Sequence, residues 1–487
     1  MKYYLITLLF FHFLIHFFVP INGTFVADSL LKAIQGESLY INNFTSEKLF
    51  YPAIDLDPEF KYYIFRLPFA KFVNDNYIGQ YPFLFSIYAG FILKFNFILI
   101  PIISILFVII SFYLLKKISD ADIYFSLFFL FSSFLLTTVF DLNEVPIFFL
   151  MSTLGFYHII KFIKSKANFN LFFSFFFLSI AVWFRLEALL FIFALGVALL
   201  INLYIDKNFN YKYFIFFTLS LIPLYLFFFR NIYIYEHFLG NRYYFNYQAE
   251  TGFLERIYRV YAMSFFWKNN TGIKTGIFFC TPILFVSFIY FIKRIKETSN
   301  IVIFSITVFI IQYLLVSFTA PNDGINLTAR YHVLLYIPGF LLVYEFIKEI
   351  GESKLRSLYL ILGIFSSIFI LILCSIWIFF SKEVNFLQIK LNTEKADLYI
   401  IGKEELCGSM GLSHLKEKIL CVREPLLPET LNSIKNDTKI KKIKYITLAE
   451  KDNFYLLEDL KKIDMIQTKK ENFKNNIEIY YINKVNN

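Results

Sequence analysis

Charged side chains beside long apolar segments are the residues of this sequence best placed to do chemistry. Seven of them fall at predicted helix ends on one side of the apolar segments: Asp28, Asp141, Glu144, Arg185, Glu187, Asp323 and Arg330. An ionisable residue near the centre of a bilayer costs about 2.5 to 3.5 kcal/mol, so such residues are rare there without a functional reason. A carboxylate can act as a general base, and a guanidinium can bind phosphate through two hydrogen bonds. These residue types therefore predict proton transfer and phosphate binding near a membrane surface.

Asp28 follows the first apolar segment, in the stretch VADSLLKAIQGESLY. The pattern predicts a short helix over residues 27–35 that ends at Gly36. A carboxylate at this place meets the membrane surface, where a lipid headgroup presents its reactive carbon. The alternative, a helix-start residue stabilised by the helix dipole, stays open.

Three later outer turns carry further candidates. Asp141 and Glu144 would bind a divalent cation, position an acceptor or cap the next helix. Arg185 and Glu187 would form a local ion pair. Arg330 precedes a late apolar segment, and its guanidinium suits bidentate phosphate binding.

Other chemistries have no motif in the sequence. No spacing of His, Cys and Asp makes a zinc site, and there is neither a nucleotide phosphate loop nor a serine-hydrolase elbow. Cys280 and Cys374 lie in apolar segments and are expected to pack as small hydrophobic residues. Cys407 and Cys421 share the hydrophilic tail, where a disulfide and two free thiols are both open.

The composition indicates that membrane helices position these residues. Hydrophobic residues make up 58% of the chain and charged residues only 17%. The apolar residues form blocks of roughly 17 to 23, the length that crosses a bilayer as helix. The net charge of +10 does not indicate a nucleic-acid partner, because the basic residues lie mostly between apolar blocks.

The sequence predicts an α-helical polytopic membrane protein with about eleven spans. The first, residues 3–20, lacks a convincing cleavage site and is expected to be an uncleaved anchor. The others are predicted at residues 97–115, 122–139, 144–161, 170–184, 188–205, 213–229, 273–292, 301–319, 333–347 and 358–380.

The positions of the basic residues predict the orientation of the spans. If the N-terminus is cytoplasmic, the inner loops carry most of the Lys and Arg residues, whereas the short outer loops carry only Arg185 and Arg330. This asymmetry orients helices during insertion. The long segments 21–96 and 230–272 then lie outside, and so does the tail.

The tail, residues 381–487, is predicted to be a small extracytoplasmic α/β domain that follows a membrane domain of residues 1–380. Strand-like runs occur at residues 396–402, 443–449 and 477–483, with helix-like charged stretches between them. Residues 81–95 are too short to span and are expected to form an interfacial helix.

The order of these residues along the chain, and their predicted position on one side of the membrane, resemble the pattern of the glycosyltransferase C superfamily. The most similar types are the protein O-mannosyltransferases and the aminoarabinose transferases. The matching elements cover residues 1–345: Asp28 in a long first outer loop, Tyr81-Pro82 before the second span, the acidic turn of Asp141 and Glu144, the Arg185-x-Glu187 turn, the helix from Gly276 to Pro282, and Ala329-Arg330-Tyr331. Many members have an Asp-Glu pair in the first loop, whereas here Ser29 follows Asp28. This departure favours a role of Asp28 as catalytic acid/base over a role in metal binding.

The resemblance implies inverting transfer of a sugar from a polyprenyl-phosphate-linked donor to a lipid, glycan or protein acceptor. Asp28 would be the catalytic base, and Arg330, Arg185 or Arg242 would bind the donor phosphate. A divalent cation held by Asp141 and Glu144 is a further option for charge stabilisation. The enzyme would lie in the inner (plasma) membrane with its active site facing the periplasm or exterior.

Three rival interpretations remain. An oligosaccharide ligase or polymerase would use the same donor but depend more on outer Arg and His residues. A flippase or transporter for a lipid-linked sugar should show internal repeats or helices broken near the bilayer midplane. A non-enzymatic scaffold would present only the tail.

Overall fold

The computed structural model describes residues 28–487, apart from residues 67–68, 97–98, 208, 241–251, 270–271, 320–327, 351–353, 392–393, 423–425, 435–436, 438, 449–464, 474–476 and 485–487. The predicted first span and the candidates Arg242 and Asp323 lie outside the described residues. Contacts divide the chain into two compact units. Within the described residues, the helical unit comprises residues 82–85 and 98–378, and the mixed unit comprises residues 28–81, 86–97 and 379–487.

Helices follow the apolar segments of the sequence. They are α1 (Asp28–Ile41), α2 (Phe83–Phe95), α3 (Leu99–Ser119), α4 (Ile123–Phe131), α5 (Val145–Ser165), α6 (Asn168–Val182), α7 (Glu187–Ile205), α8 (Tyr211–Ser220), α9 (Ile222–Tyr235), α10 (Phe253–Ser264), α11 (Ile277–Cys280), α12 (Pro282–Lys293), α13 (Asn300–Thr319), α14 (Tyr336–Ile350), α15 (Lys354–Leu391), α16 (Glu404–Cys407) and α17 (Leu427–Ile434). Short 3₁₀ helices occur at Phe134–Thr138, Ile295–Glu297, Thr328–Leu335 and Gly408–Leu415.

The strands form two hairpins and one larger sheet. They are β1 (Ala70–Val73), β2 (Asn76–Gly79), β3 (Phe266–Asn269), β4 (Gly272–Thr275), β5 (Leu398–Ile401), β6 (Ile419–Cys421), β7 (Lys442–Leu448), β8 (Met465–Phe473) and β9 (Ile477–Lys484). Strands β1 and β2 pair antiparallel, as do β3 and β4. The tail sheet has the order β6-β5-β7-β9-β8. Its strands β5, β7 and β9 confirm the three predicted strand-like runs.

Within the described residues, the helical unit has four helices long and apolar enough to cross a membrane: α3, α5, α7 and α13. The pair α8 and α9 is bent by 43° and passes the same test when taken together. These elements correspond to predicted spans 97–115, 144–161, 188–205, 301–319 and 213–229. Predicted spans 122–139, 170–184, 273–292 and 333–347 contain shorter or interrupted helices, and predicted span 358–380 lies within the long helix α15.

Two of the predicted spans, 122–139 and 273–292, are interrupted, and distant side chains satisfy the freed backbone groups. The Thr281 hydroxyl donates to the carbonyl of Ser132, just after α4, at 2.8 Å. The Phe134 N–H donates to the hydroxyl of Tyr336 at 3.0 Å. Thr281 and Tyr336 also hydrogen-bond each other at 2.8 Å. Irregular backbone is tolerated at membrane depth only where protein groups satisfy it, as these do.

In the mixed unit, α1 and α2 cross at a pair of glycines. A Cβ atom built on Gly36 would lie 2.6 Å from the backbone nitrogen of Gly90. The prediction that Gly36 ends the first helix is therefore wrong: α1 continues to Ile41, and the missing side chain is used for close helix contact. The helix predicted over residues 81–95 is confirmed by α2.

The tail core lies on one face of the five-stranded sheet and includes a disulfide between Cys407 and Cys421. Ile401, Ile446 and Ile479 pack around it, each at most 1% exposed. Helix α15 runs past residue 380 to Leu391 before the sheet begins. Cys280 and Cys374 are buried free thiols, as predicted.

Candidate functional site

Asp28 is the first residue of α1 and lies in its first turn, half-buried. A carboxylate there interacts favourably with the partial positive charge of the helix N-terminus. Stabilisation by the helix dipole is the structural role that remained open from the sequence. In that role the carboxylate still lies at the end of a helix. Such a position is compatible with a general base, which needs an oxygen that can approach a substrate proton.

Lys32 lies one turn after Asp28 on the same face of α1, because residues four apart are neighbours on a helix surface. It is only 5% exposed, and its ammonium nitrogen lies 4.8 Å from the centroid of the Tyr81 ring. Sequence reasoning missed this residue. The i, i+4 spacing from Asp28 was a visible signal, but the burial of the lysine was not.

Gln35 continues the polar face of α1 and fixes Tyr81 against it. The side-chain oxygen of Gln35 accepts from the backbone N–H of Tyr81 at 3.1 Å, and its amide donates to the Tyr81 carbonyl at 3.3 Å. Tyr81, the first residue of the Tyr-Pro pair that contributed to the sequence resemblance, is thus held against α1, the helix that begins at Asp28. Together the face offers a carboxylate, a buried ammonium and an aromatic ring.

In the helical unit, the turn before α5 places the side chains of Asp141 and Glu144 in different environments. Asp141 is half-buried, and its carboxylate accepts from the next backbone N–H, that of Leu142, at 2.7 Å. Asn143, rather than either acid, accepts from the backbone N–H of Val145 at the start of α5, at 3.0 Å. Glu144 makes no capping hydrogen bond and is 2% exposed.

Glu144 instead forms a buried ion triad with Arg185 and Glu187. Arg185 Nη1 lies 3.1 Å from Glu144 Oε1, and Arg185 Nη2 lies 2.5 Å from Glu187 Oε1. Arg185 Nε also donates to Glu187 Oε1, at 3.2 Å. The Arg185 side chain is 5% exposed. The structure therefore brings together three of the residues that were candidates from the sequence. Arg185 forms the ion pair with Glu187 that its sequence position allowed.

The electrostatics of the triad follow from burial and from its carboxylates. Burial acts to lower the pKa of Arg185, but the charges of Glu187 and Glu144 outweigh it, so the pKa of the guanidinium is raised overall. A buried charge is costly unless it is paired and hydrogen-bonded. The triad thus fastens the start of α5 to the turn before α7 through a permanent cation.

Arg330 is half-buried in the 3₁₀ helix Thr328–Leu335, and the neighbouring tyrosine holds its guanidinium. Its Nη2 donates to the hydroxyl of Tyr331 at 2.9 Å, and its Cζ lies 4.9 Å from the centroid of that ring. Tyr331 is 4% exposed and packs with Met263 and Val316. The phenol of Tyr331 also contributes to the raised pKa of Arg185. The structure thus brings the Arg330 candidate close to the triad.

The residues around Asp141 and Glu144 do not fit a cation site. Across the described ranges no group of three or more His, Cys, Asp or Glu side chains is arranged to hold a metal. Glu144 already neutralises Arg185. We derive no step through a metal at this turn.

The chain shares its fold with solved structures of ArnT from Cupriavidus metallidurans. The structure bound to undecaprenyl phosphate aligns with a TM-score of 0.56 and 8% sequence identity, covering 99% of this chain and 98% of that chain. The apo structure aligns with a TM-score of 0.53, with the same identity and coverage. No family model and no curated protein sequence matches the chain. The chain thus has the fold of these ArnT structures, in line with the resemblance drawn from the sequence.

Proposed function

We propose that this chain is an integral-membrane glycosyltransferase that takes a sugar from a polyprenyl-phosphate-linked donor and transfers it to an extracytoplasmic acceptor. The observation that carries the proposal is the fold, shared over 99% of the chain with an ArnT structure that binds undecaprenyl phosphate. The apolar spanning helices support a membrane substrate. The acidic start of α1 supplies a group suited to the chemistry.

In the proposed mechanism Asp28 is the catalytic base. Its carboxylate accepts the proton of the acceptor hydroxyl or amine while the acceptor atom attacks the anomeric carbon. The bond from that carbon to the lipid phosphate breaks, and the phosphate leaves with the electron pair. A single displacement of this kind inverts the anomeric configuration. Because a phosphate is a weakly basic leaving group, no separate general acid is needed.

Charge on the leaving phosphate requires a cation, and three residues are candidates for it. Lys32 places an ammonium one turn from Asp28 on α1. Arg330 is half-buried and keeps its guanidinium beside Tyr331. Arg242 stays a candidate on its residue type alone. We assign Arg185 to the ion triad rather than to the donor, because two carboxylates hold it.

The proposed sidedness has a cytoplasmic N-terminus, eleven spans and an extracytoplasmic tail in the inner membrane. One supporting observation is that the first long loop and the tail belong to one compact unit. Two segments that fold together lie on the same side of a membrane, so an even number of spans separates them. The ten predicted spans between residues 97 and 380 meet this condition. The tail disulfide adds support, because disulfides persist in extracytoplasmic compartments.

A reconstitution assay tests the proposal. Purified protein in liposomes would receive undecaprenyl-phosphate donors that carry different labelled sugars, together with an envelope extract as the source of acceptor. We expect label to move to an acceptor while undecaprenyl phosphate is released in equal amount. NMR of the product should show the opposite anomeric configuration to that of the donor.

Two results would overturn the proposal. If every donor stays intact while the labelled lipid moves between the leaflets of the vesicle, the protein is a flippase. If the product keeps the donor configuration, the single-displacement mechanism is wrong.

A further inference from the structure

The Cys407–Cys421 disulfide joins two elements that face different parts of the mixed unit. Cys407 ends α16, Cys421 ends β6, and their Cα atoms are 6.0 Å apart. Both residues are buried in the tail core, at 1% and 5% exposure. Beyond Cys407 the chain enters the 3₁₀ helix Gly408–Leu415.

On one side the disulfide holds the strand on which the first loop docks. The Cys421 N–H donates to the Tyr62 carbonyl at 2.8 Å, and Arg66 Nη2 donates to the Cys421 carbonyl at 2.6 Å. The opposite edge of β6 pairs with β5. The first loop therefore lies along the edge of the tail sheet at β6. Ile64, between Tyr62 and Arg66 in the chain, packs onto the core that contains the disulfide.

Further contacts of the first loop flank this junction. Lys418 pairs with Asp55 at 2.5 Å, and Lys61 pairs with Glu429 at 3.3 Å. Both pairs are largely exposed to solvent, so each contributes little by itself. The backbone hydrogen bonds to Cys421 and the burial of Tyr62, which is 8% exposed, contribute more.

On the other side the disulfide holds the 3₁₀ helix that packs against α1. Burial raises the pKa of Glu37 on α1, and the ammonium of Lys416, just after this 3₁₀ helix, acts to lower it. His414 Nε2 lies 2.9 Å from the carbonyl oxygen of Cys407, which ties the end of the 3₁₀ helix back to its start. Gly411 has a φ of +52°, a backbone conformation that other residues rarely adopt.

We propose that the Cys407–Cys421 disulfide is a positioning element for the reaction. It fastens β6, which carries the first loop, to the 3₁₀ helix that packs against α1, and through α1 it orients Asp28. This inference rests on the proposed role of Asp28. Reduction by a dithiol breaks the S–S bond, each sulfur takes up one electron and one proton, and the dithiol is oxidised to a disulfide. The free tail would then hold α1 less firmly, and transfer would fall.

The test compares the full-length protein before and after dithiol treatment, beside the variant C407A/C421A. Limited trypsin digestion reports on Lys61 and Arg66 in the first loop, and steady-state transfer gives kcat and KM for the donor. We expect faster cleavage at these residues and a kcat lower by about tenfold to a hundredfold, since small misplacements of a catalytic group have such effects. The donor KM should change little. Replacing the dithiol by an excess of its oxidised, disulfide form, which takes back the two electrons and two protons, should restore both properties.

Matched variants separate the possible failures. C374A removes a buried thiol outside the tail and should behave as the wild type does. D28N should lose about 10²- to 10⁴-fold in kcat but keep the oxidised digestion pattern. If reduction and C407A/C421A change neither digestion nor kcat, the positioning role is wrong. If they change digestion in a protein that transfers no sugar at all, the junction is correct and the proposed function has failed.

Discussion

Arg185 is held by two carboxylates, and this arrangement favours the ion-pair role over the phosphate-binding role that remained open for it. Residue types and spacing were sufficient to predict Glu187 as an ion-pair partner, because it lies two residues away. They did not predict Glu144, which reaches the same guanidinium from the start of another helix. The pairing depends on how α5 meets the turn before α7, and no short-range pattern encodes that.

Replacing Arg185 by Met is expected to destabilise the protein by about 3 to 5 kcal/mol, because it leaves two buried carboxylates without their cation. Thermal unfolding in detergent measures the effect. The double variant R185M/E144Q should recover part of the loss, since it removes one of the stranded charges. An unchanged unfolding temperature combined with a raised donor KM would instead assign Arg185 to the donor phosphate.

Lys32 is a residue whose position was visible in the sequence but whose burial was not. Its position four residues after Asp28 is plain in the sequence, yet one lysine in an amphipathic helix is normally solvated. Only the packing of Tyr81, held by Gln35, shows that this ammonium is buried beside the acidic start of α1. The place of Asp28 at the start of α1 was predictable, because the helix-like stretch after it is visible in the sequence. Its role as the base stays a prediction.

At the scale of helices and strands, composition predicted where the apolar segments lie, but it did not predict where the helices in them are interrupted. The breaks near Ser132 and Thr281 are stabilised by hydrogen bonds between residues far apart in the sequence. Hydropathy reports how apolar a segment is, and it cannot show where a distant hydroxyl satisfies a backbone group. The tail strands β5, β7 and β9 were predictable because each is a short β-branched and aromatic run.

Gly36→Ala is expected to destabilise the mixed unit by about 1 to 3 kcal/mol, the usual cost of forcing extra atoms into a packed contact. The added methyl group would meet the backbone of Gly90 and the side chain of Ala89. Gly196→Ala on α7 is the matched control, because nothing lies within 4 Å of its added Cβ. Thermal unfolding of both variants measures the difference. Equal unfolding temperatures would show that α1 and α2 do not cross at these glycines.

For the whole molecule, the distribution of Lys and Arg predicted which segments lie outside, and the packing of the first loop with the tail agrees with it. The sequence placed both segments on the same side. It did not show that they fold into one unit, because their contacts join residues more than 350 positions apart, as between Arg66 and Cys421.

Sidedness is testable with single cysteines and a membrane-impermeable maleimide. We expect D75C in the first loop and K439C in the tail to be labelled in intact cells. K212C and K293C should be labelled only after lysis, because they lie in loops predicted to be cytoplasmic. All four positions are exposed. Labelling of K212C from outside would contradict the topology, and opposite results for D75C and K439C would contradict the shared unit.

The most direct test of the central claim is the transfer rate of D28N with a polyprenyl-phosphate sugar donor. D75N is the control, since it makes the same change at an exposed turn of the same unit, where Asn tolerates the positive φ of 61°. A general base contributes about 10²- to 10⁴-fold, so D28N should lose that much kcat with an unchanged unfolding temperature, while D75N keeps full activity. If folded D28N transfers sugar at the wild-type rate, Asp28 is not the base and the proposed mechanism is wrong.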